Sequence, residues 1–149
     1  KRDGVPYELI TKALPTIEGE VNNILAQLVD FQMLFEMDGK NINNYIVYDD
    51  DNVWPLELSS GMERFISSLA IRVGLINVSN LPRSNFLAID EGWGTMDSDN
   101  LNSVYSLFQY LKSQFQFTLI VSHIDSMRDA VDSLLEIKKE KSFSSINFD

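Results

Sequence analysis

The chain has 149 residues, of which 44% are hydrophobic and 23% charged, the proportions of one ordinary globular domain with a sizeable core. It contains no cysteine and a single histidine, His123, which excludes disulfide scaffolds, thiolate zinc sites, cysteine catalysis and any site needing two imidazoles. Its 12 Lys+Arg against 22 Asp+Glu give a net charge of −10, the wrong sign for a stand-alone nucleic-acid binder.

Between Pro6 and Pro15 the sequence predicts a short helix that stops at Pro15, because the residue before a proline avoids the helical region. From Pro15 onward, Ile17, Val21, Ile24, Leu25, Leu28 and Val29 fall at helical spacing and predict an amphipathic helix laid on a core. Residues 31–37, the turn Asp38-Gly39 and residues 42–48 read as a β-hairpin or two edge strands. The run Asp49-Asp50-Asp51-Asn52 reads as a solvated turn, since the spaced ligand series of a calcium loop is absent.

The second half alternates. Residues 61–78 form a helical pattern with Met62, Phe65, Ile66, Leu69, Val73 and Ile76 on one face, and 101–115 form another. Between and after them lie two short apolar runs, 85–89 and 117–121, which predict buried parallel strands of an α/β sheet. Residues 131–139 and 143–148 read as closing strands. No linker or internal repeat divides the chain, so residues 1–149 are expected to form one domain. No apolar run approaches the ~20 residues of a membrane span, and no signal-peptide pattern is present.

Three groups of residues could carry chemistry. Phe86-Leu87-Ala88-Ile89 delivers Asp90 and Glu91 to a strand's C-terminal end, where open α/β sheets bind ligands. Adjacent strand side chains point to opposite faces, so one acid suits a Mg²⁺ ion and the other a general base. Ser60-Gly61-Met62-Glu63 has the S-x-x-E spacing of a helix capping box, and the same geometry makes an anion site for a phosphate. Val121-Ser122-His123 ends the second apolar run, at the same end of the expected sheet as the acids. A P-loop, G-x-x-x-x-G-K-[ST], is missing: the only Gly-Lys pair, Gly39-Lys40, has Leu34 where the motif's first glycine should stand and is followed by Asn41.

In order, Ser60-Gly61-Met62-Glu63, the Phe86–Glu91 run, Gly94-Thr95-Met96-Asp97 and Ser122-His123 resemble four motifs of one family. The chain resembles the C-terminal half of the ATP-binding-cassette heads of SMC-like proteins, most closely the SbcC type of DNA-repair ATPase. Asp90-Glu91-Gly92-Trp93-Gly94-Thr95-Met96-Asp97 follows that family's D-E-G-F-G-T-L-D with two changes, and Gly4-Val5-Pro6-Tyr7 with Leu14-Pro15-Thr16-Ile17-Glu18 is similar to its re-entry from a coiled coil. The implied fold is α/β: a mostly parallel sheet flanked by helices, with an N-terminal helical and β-hairpin segment. The N-terminal P-loop lobe and the coiled coil would lie outside this chain, and a start at Lys1 rather than methionine fits a piece of a longer protein.

The resemblance also implies roles. Ser60 and Gly61 would meet the γ-phosphate of ATP held by a second head, with Glu63 closing the signature. Asp90 would be the Walker B acid on Mg²⁺, Glu91 the general base, Asp97 part of the D-loop and His123 the switch histidine. Implied partners are the P-loop lobe, a second identical head, an SbcD-type nuclease and, through the full complex, DNA; the implied location is cytoplasmic or nucleoid-associated. Two departures stand out: Ser59 replaces the signature's usual Leu, and Met62 occupies its second glycine position. An SMC-type chromosome-organising ATPase shares every motif, although the G-W-G-T-M-D run favours the SbcC type. A non-catalytic, head-like interaction module is the reading from a different class.

Overall fold

The computed structural model describes residues 4–39, 41–90 and 101–148. Helix α1 (Gly4–Leu25) leads into strands β1 (Gln32–Asp38), β2 (Asn41–Asp49) and β3 (Asn52–Pro55). Helix α2 (Gly61–Val78), strand β4 (Phe86–Asp90), helix α3 (Leu101–Gln114) and strand β5 (Phe117–Val121) follow, and the hairpin β6 (Leu135–Glu140) and β7 (Phe143–Phe148) closes the chain.

Contrary to the expected stop at Pro15, α1 runs through it as one 22-residue helix. An interior proline costs roughly 3 kcal/mol by removing one helical hydrogen bond and crowding the preceding turn. The carbonyl it deprives belongs to Thr11, an exposed residue, so water can satisfy it. Buried anchors on both sides, Leu14 before the proline and Val21, Ile24 and Leu25 after it, hold the helix together across the defect.

β1, β2 and β3 form an antiparallel sheet in that order, with Met33 opposite Ile46. Gly39, at φ +60°, supplies the left-handed turn residue between β1 and β2, as the Asp38-Gly39 pair predicts. The acidic turn is also as expected. Asp49 accepts hydrogen bonds from the Asn52 side chain (2.8 Å) and the Asp51 N–H (3.0 Å), and these hold its carboxyl below its ordinary value. β1 is an edge strand, and α1 covers that edge. Asn22 donates to the Met33 carbonyl (2.9 Å) and accepts from the Met33 N–H (2.8 Å), while Glu18 accepts from the Phe35 N–H (2.8 Å).

β4 and β5 form the expected parallel pair, in register from Phe86 opposite Phe117 to Asp90 opposite Val121. Parallel pairing is confined, among the described residues, to these two strands; β6 and β7 are antiparallel. The expectation that β4 and β5 are buried on both faces needs correction. Leu87, Ile89 and Ile120 face the core, while Phe86, Phe117, Leu119 and Val121 are between 43% and 58% exposed. The physical reason is that no layer formed by the described residues covers that second face. The last hairpin begins at Leu135 rather than at 131, because Asp125–Ala130 forms a 3-10 turn whose Met127 is buried.

The core is one continuous cluster. Val21, Ile24 and Leu25 of α1 meet Ile66, Leu69 and Val73 of α2, Ile46 of β2, and Leu107 and Leu111 of α3. α1 and α2 approach closely at Gly74, where a Cβ would lie 3.0 Å from Val21 Cγ2.

Candidate functional site

The first part of the site is the N-terminus of α2. Ser60 has extended backbone (φ −64°, ψ 161°), the conformation that starts a helix from outside it. Its Oγ accepts from the Glu63 N–H at 3.2 Å, and its own N–H donates to Glu63 Oε2 at 2.6 Å. This is the capping box read from the sequence, and it leaves Ser60 exposed at the positive end of an 18-residue helix. The preceding serine does other work: Ser59 is buried, and its Oγ donates to the Leu56 carbonyl at 2.6 Å, closing the 3-10 turn Leu56–Leu58. Met62 packs against the core, and Arg64 is exposed on the helix.

Sequence reasoning does not find one member of this group. Tyr48 of β2 donates its hydroxyl to Glu63 Oε1 at 2.8 Å, so both carboxylate oxygens are engaged. The signal is too weak to reveal it, since 15 residues separate the pair and aromatic residues are common in strands. Partial burial by itself would raise the Glu63 carboxyl, but the hydrogen bonds from Ser60 and then Tyr48 outweigh it, and the group sits below its ordinary value. Burial, the hydrogen bond to Glu63 and the charges of Glu63 and Asp30 push the Tyr48 phenol up to about 12.

These shifts give a pH window. A depressed carboxyl contributes stability above its unfolded value of 4.5 and loses it as pH falls through the lower folded value. At neutral pH, Ser60→Ala is expected to cost about 0.5–2 kcal/mol, the range for losing a serine cap. The titrating part of the box is the Glu63 carboxylate, which takes the Ser60 backbone N–H, so the stability difference between wild type and Glu63→Gln should shrink as acid unfolding titrations pass below the carboxylate range. A difference that persists unchanged in acid would show that the Glu63 carboxylate does not close the box.

Beside the cap lies a cavity of about 600 Å³ whose lining includes Gln27, Asp30, Phe31, Tyr48, Ser60 and, from α3, Ser103.

The second part of the site is the C-terminal end of the parallel pair. Because β4 and β5 run in parallel register, Asp90 and the Ser122-His123 pair emerge at the same end, as the sequence predicts. Asp90 and His123 are both exposed. Ser122 Oγ accepts from the Ile124 N–H (3.1 Å) and donates to Met127 Sδ (3.3 Å), which fixes the backbone leaving β5 next to His123. Glu91 and Asp97 lie outside the described residues.

Similarity to known proteins points the same way as this geometry, although no family model matches the chain. It is 37% identical over 160 aligned residues to uncharacterized protein R555 of Acanthamoeba polyphaga mimivirus, covering 97% of this chain and 12% of that protein. It is 32% identical over 93 residues to the SbcC component of the SbcCD nuclease of Staphylococcus aureus, covering 60% of this chain and 9% of that protein. A solved structure of an SMC ATPase, described for ATP-driven dimerization and DNA-stimulated activation, superposes with a TM-score of 0.75 at 15% identity. That match spans 95% of this chain and 88% of the solved one. The chain is built as the C-terminal lobe of an SbcC/SMC-like ATPase head. It accounts for only 12% and 9% of the length of these two relatives, so the lobe is a small part of proteins of that kind.

Two implied ligands can be weighed against the lobe's own residues. Mg²⁺ takes one or two carboxylates and completes its shell with water and phosphate oxygens, which suits an exposed Asp90 at a strand end. An exposed hydroxyl and the N–H groups opening α2 suit one phosphate of ATP, while the sequence holds no P-loop for the rest of it.

Proposed function

We propose that this lobe completes a composite ATPase site in a DNA-repair head of the SbcC type, working only together with an N-terminal P-loop lobe. The observation that carries the reading is the Ser60 cap, an exposed hydroxyl in S-x-x-E spacing at the start of a long, well-packed helix. In this reading Ser60 and the Gly61 N–H bind the γ-phosphate presented by a second head, and Glu63 holds Ser60 in place. Asp90 holds Mg²⁺, which when bound neutralises phosphate charge. Glu91 takes the proton of the attacking water, His123 hydrogen-bonds a terminal phosphate oxygen, and Asp97 belongs to the segment that crosses between heads.

The uncovered face of β4 and β5 supports the two-lobe arrangement. Phe86 and Phe117 stack on it with ring centroids 5.6 Å apart, and Leu119 and Val121 extend the apolar surface. In open parallel sheets both faces are ordinarily covered, and the P-loop lobe is the layer proposed to cover this one. The whole protein would then act on DNA ends with an SbcD-type nuclease in the cytoplasm or nucleoid. Among the described residues, no helix is long and apolar enough to cross a membrane.

The test is Ser60→Arg in the full-length protein, followed by light scattering with and without Mg-ATP. Wild type should double in mass with ATP, and the variant should remain at the mass seen without nucleotide. Normal ATP-dependent doubling by Ser60→Arg would remove Ser60 from the composite site.

A further inference from the structure

The link between Tyr48 and Glu63 reaches beyond the cap itself. β2 pairs with β1 only as far as Val47, and its pairing with β3 slips between Val47 and Asp49. Tyr48 is therefore the residue left out of both ladders, at a bulge, where strands commonly re-aim a side chain. The ring is held by its neighbours instead. It stacks on Trp54 at 5.4 Å with the planes 27° apart, and it meets Phe31 at 5.6 Å with the planes 54° apart. The hydroxyl emerging from this aromatic clip is the one that reaches Glu63 Oε1.

We propose that Tyr48 is a positioning residue for the Ser60 cap, acting through Glu63. With Tyr48 in place, the carboxylate is fixed by two donors, one on each oxygen, and Ser60 is held in a single orientation. Without that hydroxyl, Glu63 keeps only the Ser60 N–H and is free to turn about its side-chain bonds. The orientation of Ser60 then rests on the 3.2 Å bond from the Glu63 N–H and on a carboxylate held at one oxygen only. The three-stranded sheet thereby sets the geometry of a helix start on the neighbouring layer. Its relevance to ATP rests on the function proposed above, whereas its effect on the cap does not.

The experiment compares wild type with Tyr48→Phe, which keeps the ring and its stacking and removes only the hydroxyl. In the full-length protein without nucleotide, hydrogen exchange at the segment opening α2 should speed up about three- to tenfold, the worth of one ordinary hydrogen bond. Exchange in α3 and β6 should be unchanged. With Mg-ATP, the concentration giving half-maximal turnover should rise by about the same factor while the maximal rate stays put. Glu63→Gln in the Tyr48→Phe background should add less than it does in wild type, because the two changes break one chain of contacts. Unchanged exchange at the start of α2 in Tyr48→Phe overturns the proposal, whereas faster exchange with an unchanged half-saturation point, in a protein that turns over ATP, upholds the positioning role and removes Ser60 from the phosphate site. If wild type fails to respond to ATP at all, the Ser60–phosphate reading falls, and the exchange measurement still decides the role of Tyr48.

Discussion

Replacing Glu91 with glutamine in the full-length protein is expected to lower ATP hydrolysis by about 10²–10⁴-fold, the usual contribution of a positioned general base. The carboxamide has the carboxylate's shape but cannot accept a proton at neutral pH, so the water loses its acceptor while the space around it is preserved. ATP-dependent association of heads should survive, since it depends on phosphate contacts made by other residues. Phosphate release and light scattering on the same preparation separate the two effects. Turnover within a few-fold of wild type would move the base elsewhere, and His123, at the same strand end as Asp90, would be the next residue to change. Loss of both turnover and association would mean that Glu91 acts in binding instead.

Gly74→Leu is expected to destabilise the lobe by about 1–3 kcal/mol, the range for overpacking a close-fitting core. A leucine ordinarily helps a helix interior relative to glycine, by close to 1 kcal/mol, so the sign of the result is informative. At Gly74 even a Cβ would come within 3.0 Å of Val21 Cγ2. Val21 is fully buried and β-branched, with little freedom to turn aside. Urea unfolding should show a lower midpoint with an unchanged slope, because the surface exposed on unfolding is nearly the same. A raised midpoint would mean that α1 and α2 stand farther apart than this packing.

The elements that could be read from the sequence were those with a local cause. Ser60 and Glu63 announce the start of α2 through their spacing, and the helix runs from Gly61 to Val78 as the apolar face predicts. Asp38-Gly39 marks the first hairpin, and the two apolar runs become β4 and β5 with Asp90 and His123 at one end. What could not be read depends on distant partners. Pro15 is a strong local stop signal, and only packing on both sides carries α1 through it. β3 has four residues, ends in Pro55 and exists by pairing with β2, so it shows no pattern of its own. The exposed face of β4 and β5 is apolar in composition, and composition does not tell which layer covers it. At the candidate site, the cap was legible and its tie to Tyr48 was not, because that tie requires a bulge and a second layer.

The way α1 meets β1 bears on how the protein behaves at high concentration. An open edge strand is a template onto which a foreign strand can add, the first step toward aggregates. At Met33, the amide of Asn22 presents one donor and one acceptor in the arrangement a neighbouring strand would offer, and Glu18 takes the N–H of Phe35 two residues on. One helix side chain thus imitates the next strand and ends the sheet there. Protection of this edge against a foreign strand is in that sense encoded in α1, a helix whose apolar face serves the core while its polar residues occupy the edge of β1.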